Sequence, residues 1–463
     1  MSAIARTPQA RPDVWAQQLA WWAAATGAAA LVAYLTMRSV QLGCTFALLV
    51  LAVGAYARSR TAGLAVMWAV WLVTPLVRRL FGLEGGYVNA DPLAAAPFLI
   101  TGALVVVELA RNGLPRPLRR PLLLAGLGLL IGVPAGLGTP EALGFALFSY
   151  GTAISALVPG YRESAEDPST VGTMVRALLL ALPWLAIYGI YQYFAIPEWD
   201  RVWVETTNFV TAGAPQAGHV RIWSTLNSPG TFGMTLGIGL VCALASRRFG
   251  PVRLLVVGVM LVALALTYLR SAWIALFVAG IALLIASRGR YSVRIAVAVA
   301  IGLIGVPALV GGATGGAVTE RFTTLGDLGG DTSAQERQAT TLALVPQSLA
   351  KPIGTGFGSA GEASRLSHPG SDFRYTDNAY LSLLYQVGPF GFLLIAIAAA
   401  PGVRSAWRLA RRRTSGPVSL ALFGVIVFSL VGMFTGDLLF GITGIAFWYV
   451  LGMAIGRDEA TRT

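Results

Sequence analysis

The sequence predicts an all-α polytopic membrane protein, and three observations support this fold class. Of the 463 residues, 56% are hydrophobic and only 12% are charged, whereas soluble domains carry about 25% charged residues. Apolar runs long enough to cross a bilayer as helices recur from one end of the chain to the other. Arginines gather in short hinges between these runs. A soluble protein would need charged residues along its helices to cover its surface, and they are missing.

The apolar runs predict about fourteen membrane spans, with twelve as the lower figure. The fifth and sixth runs are rich in Gly and Pro and are the weakest. The first run is longer than the core of a signal peptide, so we interpret it as a retained span. The predicted spans are 17–36, 41–57, 62–77, 92–110, 121–137, 140–158, 173–195, 228–246, 252–269, 271–287, 293–312, 379–400, 417–435 and 437–455.

The basic hinges follow even-numbered spans, which predicts that these loops and both termini lie in the cytoplasm. Arg78 and Arg79 follow the third span and are a local exception. The net charge of +13 then indicates contact with anionic lipid headgroups, and no nucleic-acid partner. The hinge arginines are Arg58, Arg60, Arg111, Arg116, Arg119, Arg120, Arg247, Arg248, Arg253, Arg288, Arg290, Arg294, Arg404, Arg408, Arg411, Arg412 and Arg413.

This orientation places two longer segments outside the cytoplasm, residues 196–227 and residues 313–378, within a single membrane domain over 1–463. The second segment is long enough to carry short helices. Its portion 332–349 has helical spacing of apolar residues, and Lys351-Pro352 ends that pattern.

Two arginines lie at the predicted outer face, where an ionisable group near the membrane is costly and indicates function. Arg270 lies in a short hinge between two apolar runs; it either extends to outer headgroups or binds an anion such as phosphate. Arg221 precedes Asn227-Ser228-Pro229, which predicts a capped helix start. A helix N-terminus beside an arginine favours an anion. The alternative is an interfacial loop anchored by Trp223.

The end of the long outer segment carries further candidates. Gly354, Gly356 and Gly358 indicate a tight turn that docks on the membrane domain, because no strand–helix–strand unit of a nucleotide-binding loop surrounds them. Asp377 opens the next span, as a helix cap or as a general base. His368 is a rival base, or a surface residue.

No metal or other cofactor is expected. Asp327 and Asp331 flank a Gly pair and favour a solvated turn over a divalent-ion site, and no His/Cys cluster is present in the sequence. The two cysteines, Cys44 and Cys242, lie in apolar runs. We expect them to be buried thiols that pack as small hydrophobic side chains.

In this order, the motifs resemble those of the O-antigen ligase and Wzy-type polymerase superfamily of bacterial envelope proteins. The similarity covers about residues 220–392. The matching stretches are Arg221–Phe232, which resembles an Arg…Ser-Pro stretch; Thr267–Trp273, an Arg-Ser-Ala-Trp hinge; Ser333–Arg337 followed by Pro352–Gly358, a Glu-Arg pair and then a Pro-led Gly string; and Asp377-Asn378 with Gly388 and Gly391, a His-Asn…Gly-x-x-Gly signature.

The resemblance implies a GT-C-like glycosyltransferase of the bacterial inner membrane that works without a metal. It would move a glycan from an undecaprenyl-diphosphate donor to the hydroxyl of a glycan or lipid acceptor. Membrane lipids, and as candidates a flippase and a chain-length regulator, would be its other partners. By position, Arg221 and Arg270 match the family's two essential arginines. The expected substrate contacts are Arg337, Arg374, His368, Asn378 and Tyr380.

One residue departs from the family pattern, because Asp377 stands where the ligases carry a catalytic His. A carboxylate can also accept a proton, and the replacement favours a polysaccharide polymerase over an O-antigen ligase. Two further classes stay open: a transporter or bicarbonate-uptake accessory protein, and a scaffold of an envelope complex. The gathering of ionisable groups at the outer interface favours an enzyme over both.

Overall fold

The computed structural model describes residues 39–85, 87, 91–168, 171–207, 209–245, 250–287, 332–366, 377–412 and 416–462. For residues 84, 85, 210 and 332–338 it describes only the backbone. The predicted spans 17–36 and 293–312 therefore lie outside the described residues. So do His368, Arg374, Asp327 and Asp331.

The described residues form α-helices joined by short turns, and a bridge between Gly213 and Val220 is the one β-pairing among them. Two short 3₁₀ helices cover Val210–Ala212 and Gly361–Leu366. The α-helices are α1 (Val40–Arg58), α2 (Arg60–Gly85), α3 (Pro92–Asn112), α4 (Arg116–Ile131), α5 (Val133–Gly136), α6 (Pro140–Ser155), α7 (Leu157–Glu166), α8 (Thr173–Phe194), α9 (Glu198–Thr207), α10 (Pro229–Leu244), α11 (Pro251–Leu266), α12 (Arg270–Ser287), α13 (Thr332–Leu349), α14 (Ala379–Arg411), α15 (Pro417–Gly432) and α16 (Gly441–Ala460).

Seven helical segments in this part of the chain are long and apolar enough to cross a membrane: α1, α2, α3, the pair α6–α7, α8, α12 and α14. Helices α10, α11 and α15 are equally apolar but shorter. At 1.5 Å per residue they are about 24 Å long, which is shorter than a bilayer core of about 30 Å. The prediction of an all-α polytopic membrane protein is confirmed.

Helix α14 is interrupted within the predicted span 379–400. Gly388 has φ 68° and ψ 177°, and Pro389, which has no N–H to donate, follows it. The carbonyl groups just before this break have lost their helical partners. Other groups must therefore satisfy them, and the outer segment supplies these groups.

Side-chain contacts distinguish one end of the helix array, which we call the basic end. Arg60 bonds Glu108 at 3.1 Å and also pairs with Glu166. Tyr161 donates to Glu459 at 2.5 Å and thereby joins this group to the last turn of α16. The neighbouring Asp458 accepts from three arginines: Arg408, Arg412 and Arg462. Among the described residues, the hinge after the second predicted span therefore meets the ends of α3 and α7, and the hinge after the twelfth meets the end of α16.

The opposite end, which we call the loop end, holds the two exceptional arginines. Arg78 pairs with Asp91 at 2.6 Å, and Arg79 pairs with Asp200 at 2.8 Å. Each positive charge is balanced by a carboxylate from a neighbouring element. The local exception to the charge pattern therefore has a structural reason: these arginines bind acidic partners at the loop end.

Candidate active site at the loop end

The segment that carries Arg221 returns into the helix array through a strained, fully buried turn. Ser224 has φ 52°, a left-handed conformation that is uncommon for residues other than glycine. The side-chain carbonyl of Gln192 accepts the N–H groups of Trp223 and Ser224, each at 3.0 Å. Arg79 donates to the Ser224 carbonyl at 2.6 Å. These three bonds from two different helices hold the turn in its strained conformation.

The same network fixes the short helix α9. The Gln192 amide and the Tyr188 hydroxyl both donate to the Asp200 carboxylate, at 2.6 and 2.7 Å. The side chains of Arg79 and Asp200 are 0% exposed, so the ion pair depends on these additional hydrogen bonds for its solvation. Trp223 is buried as well, which excludes the alternative that it anchors an interfacial loop.

The structure brings Arg221 against the hinge that carries Arg270. The Arg221 Nε donates to the Thr267 carbonyl at 3.0 Å, and the next N–H along the chain, that of Ile222, donates to Leu266 at 3.2 Å. Tyr268, between Thr267 and Arg270, has φ 53°. Arg270 is the first residue of α12. The two arginines selected from the sequence thus belong to elements in direct contact.

The predicted cap of the helix after Arg221 is present. The Ser228 hydroxyl accepts from the N–H groups of Gly230 and Thr231, and Pro229 occupies the first turn of α10. Asn227 instead donates its amide to the Tyr87 hydroxyl at 2.9 Å. Ser228 is therefore the cap, and Asn227 ties the turn to Tyr87, just after the end of α2.

The glycine string docks on the broken helix α14, as predicted. Gly354, Gly356 and Gly358 all have positive φ, at 76°, 117° and 94°. The N–H groups of Thr355 and Gly356 donate to the carbonyls of Tyr385 and Gln386, at 2.9 and 3.2 Å. These are carbonyls that the break at Gly388 leaves without helical partners. The glycine string therefore caps the first half of α14.

The start of α14 assigns different roles to the predicted residues there. Asn378, not Asp377, is the helix cap, since its side chain accepts the Leu381 N–H at 3.1 Å. Asp377 is the preceding residue. The Tyr380 hydroxyl donates to the Leu430 carbonyl at 2.7 Å. The structure places these three predicted site residues at the loop end. Arg337 lies within helix α13, which packs against α14.

Sequence reasoning missed Asp437, a partly buried acidic side chain at this end. It lies in the turn between α15 and α16 and accepts from the hydroxyls of Ser382, at 3.1 Å, and Tyr150, at 3.3 Å. Burial raises the pKa of Asp437 to about 7, and the negative charge of Glu362 adds to this effect. The sequence placed Asp437 inside the span 437–455, but the helix begins at Gly441. An aspartate in an apolar run was the available signal.

A chain of hydrogen bonds connects Asp437 to the glycine string. The Gly358 N–H donates to the Gln386 side-chain carbonyl at 2.9 Å, and the Gln386 amide donates to the Ser382 hydroxyl at 3.0 Å. Ser382 then donates to the carboxylate. Gln386 and Ser382 are both 0% exposed. The docked loop and the partly buried carboxylate therefore form one connected unit.

Close packing also connects Asp437 to the arginine hinge. A side chain at Gly233 would meet Leu269, the neighbour of Arg270, at 2.9 Å. A side chain at Gly432 would meet Met234 at 3.3 Å and Leu438 at 2.8 Å. The first turns of α10 thus lie between the hinge and the Asp437 turn. The Ala379 N–H donates to the Met433 carbonyl at 2.8 Å, which adds the start of α14 to the same group.

The arrangement offers cations, carboxylates and hydroxyls on one end of an apolar array. Among the described residues, no group of three or more His, Cys, Asp or Glu side chains could hold a metal ion. Cys242 is buried and Cys44 is partly buried, and both are free thiols.

Comparison with known proteins identifies part of this unit. Residues 255–396 match the family described as O-Antigen ligase. No curated protein matches the chain. The matched stretch begins in α11, contains Arg270, the glycine string and Asp377, and ends in α14; Arg221 and Asp437 lie outside it. The resemblance to the O-antigen ligase and polymerase superfamily is therefore confirmed, as a family match over residues 255–396.

Proposed function

We propose that the protein transfers a glycan from an undecaprenyl-diphosphate donor to an acceptor hydroxyl, without a metal, and thereby polymerises a polysaccharide at the outer face of the inner membrane. The contact of Arg221 with the carbonyl of Thr267 supports this proposal most directly, because it joins the two arginines in one region. That region lies at the end of the array where membrane-embedded donor and soluble glycan would meet.

The diphosphate is a good leaving group, and negative charge grows on it as its bond to the sugar breaks. Arginines that are already in place stabilise that charge without reorganisation, which is a major source of rate enhancement. The guanidinium fork also matches two phosphate oxygens at once. We assign Arg221 and Arg270 to the diphosphate. Arg337 and Arg374 are secondary candidates for contact with phosphate or glycan, and His368, Asn378 and Tyr380 for contact with glycan.

The reaction also needs a group that takes the proton of the acceptor hydroxyl. The sequence assigns this role to Asp377, with His368 as the rival. Asp377 lies at the same end as the arginines, directly before the capped start of α14.

The distribution of charge favours an enzyme over a transporter. In the described spanning helices, charged side chains lie within about two turns of a helix end. Transporters bind their substrates near the middle of the membrane, between broken helices of two related halves. The charged groups of this chain are instead suited to a reaction at the membrane surface.

Substitution of Arg270 tests the assignment to the diphosphate. We expect Arg270→Ala to lower glycan transfer from a purified lipid-linked donor by at least about 100-fold, the loss typical of a missing charge-stabilising donor. Arg270→Lys should retain an intermediate rate, because it keeps the charge but not the fork. Product length on gels and the initial rate are the measurements.

Arg201→Ala is the matched control. Arg201 lies on α9 at the same end, and its partners there are the exposed Glu198 and Glu205, so its loss should leave the rate unchanged. Arg270→Ala with a wild-type rate at equal protein level would refute the assignment.

An O-antigen ligase is the second candidate, and the match of residues 255–396 to the family of that description favours it. A ligase would move one finished glycan to a lipid or protein acceptor. A polymerase would produce a ladder of lengths from a single repeat unit. Incubation of the purified protein with a lipid-linked single repeat separates the two: a ladder supports polymerisation, and one product of fixed length on a non-glycan acceptor supports ligation.

A further inference from the structure

A small pocket opens beside Asp437 beneath the docked outer segment. The space is partly open to solvent and has room for about one water-sized group. The pocket can therefore receive a single hydroxyl group but not a sugar ring. Its polar lining consists of Ser149, Tyr150, Glu362 and Asp437.

One polar group in this pocket indicates a missing ligand. Ser149 is 1% exposed, and its hydroxyl has no hydrogen-bond partner among the residues that the structure describes. Buried hydroxyls are nearly always hydrogen-bonded, because an unsatisfied one costs about 1–3 kcal/mol. Tyr150, the next residue of α6, donates its hydroxyl to Asp437. A ligand hydroxyl in the pocket would satisfy Ser149 while lying next to the carboxylate.

The surroundings of Asp437 suit a proton acceptor. Among the described residues, its partners are the Ser382 and Tyr150 hydroxyls and the backbone N–H of Leu439, and no arginine is among the groups that shift its pKa. Of these residues, Glu362 is the charged group that acts on the carboxylate, and Arg365 forms a 3.2 Å ion pair with Glu362. Gly361 leaves the approach open, since a side chain there would lie 2.9 Å from the carboxylate oxygen.

We propose that this pocket binds the attacking hydroxyl of the acceptor glycan and that Asp437 takes up its proton. The inference rests on the proposed glycosyl transfer and gives Asp437 the role that the sequence assigned to Asp377. The acceptor oxygen forms a bond to the anomeric carbon of the donor. The bond from that carbon to the diphosphate oxygen breaks, and its electron pair leaves on the diphosphate. The proton passes to the Asp437 carboxylate and then to solvent.

Two isosteric variants test this assignment, with undecaprenyl-diphosphate glycan extracted from the producing cells as the probe. In Asp437→Asn we expect transfer to fall by about 100-fold or more, the usual contribution of a general base. Wild-type transfer should rise with pH through about 7, as Asp437 loses its proton. The variant should lose this rise, and Asp377→Asn should keep it.

A third variant tests binding in the pocket without changing a charge. Ser149→Ala removes the unpartnered hydroxyl, and we expect a several-fold higher KM for the acceptor with kcat little changed. Wild-type rates in Asp437→Asn with an unchanged pH profile would overturn the proposal while leaving glycosyl transfer in place. Failure of the wild-type protein to transfer glycan at all would instead refute the proposed function.

Folding of the aspartate variant can be verified independently. Because the pKa of Asp437 is raised in the folded state, the folded protein binds the extra proton, and wild-type stability falls as pH rises from about 4 to about 7. The Asn variant keeps the shape but has no charge to bury. It should therefore be at least as stable as wild type above pH 7, and a stable, inactive variant supports the catalytic role.

Discussion

At the scale of single residues, the ion pair of Arg79 and Asp200 determines where Arg221 lies. Both side chains are 0% exposed, and the arginine also holds the Ser224 carbonyl. Removal of one partner from a buried pair leaves an uncompensated charge and typically costs about 3–5 kcal/mol. The pair is thus a structural support of the turn that carries Arg221, and not a substrate contact.

We predict that Asp200→Asn lowers the unfolding temperature in detergent and reduces glycan transfer, because Arg79 becomes a buried charge without its counter-ion. Replacement of both residues by Leu should recover part of the stability. Thermal unfolding of the two variants beside wild type is the measurement. Equal unfolding temperatures for Asp200→Asn and wild type would show that the pair does not support the turn.

The sequence identified some of these residues and could not identify others. Arg78 and Arg79 were recognisable as exceptions to the charge pattern, but their partners come from other elements, and no local spacing predicts such pairs. Asp437 was not identified because its neighbours in the sequence are apolar and the predicted start of α16 was four residues too early. Arg221 and Arg270 were recognisable because a positive charge at the predicted outer face is costly.

At the scale of elements, the central feature is the pairing of the glycine string with the interrupted helix α14. Two backbone N–H groups of the string replace the helical partners lost at Gly388. Gly358 lies where any side chain would collide with the backbone of Ala142, at 2.7 Å. Its positive φ of 94° is also unfavourable for other residues.

We predict that Gly358→Ala destabilises the docked segment by roughly 1–3 kcal/mol, the usual cost of a strained backbone position. Limited proteolysis of residues 350–366 should accelerate, and glycan transfer should fall with it. Gly126→Ala in α4 is the control, since nothing lies within 4 Å of its added side chain; a helical alanine there should leave stability unchanged or slightly higher. Equal proteolysis rates in both variants would contradict the docking role.

Local patterns predicted several elements well. Helix α13 spans the predicted residues 332–349, because apolar spacing and Lys351-Pro352 define it locally. The docking turn followed from the glycines alone. The interruption of α14 was not predicted, because the whole run is apolar and resembles one span. Gly388-Pro389 was the local signal for the break. The surface on which a loop docks depends on distant backbone groups, which composition does not specify.

At the scale of the whole molecule, the contacts sort the charged residues into two ends. In the part of the chain that the structure describes, Arg60, Arg408 and Arg412 of the hinges predicted to be cytoplasmic lie at the basic end, and the candidate site lies at the loop end. This separation agrees with the charge pattern of the sequence. The glycosyl-transfer proposal also requires that the loop end face the outside of the inner membrane, because the proposed undecaprenyl-diphosphate donor would be polymerised there.

Thiol labelling in spheroplasts tests this orientation. Cys44 and Cys242 are first replaced by Ala, which leaves no native thiol. Ser59→Cys then marks the basic end and Gln216→Cys the loop end, both at exposed positions. A membrane-impermeant maleimide should label the Gln216→Cys protein in intact spheroplasts and the Ser59→Cys protein only after lysis. Since arginine-rich hinges stay in the cytoplasm, the reverse pattern would place Arg221, Arg270 and Asp437 inside the cell and refute an extracytoplasmic polymerase.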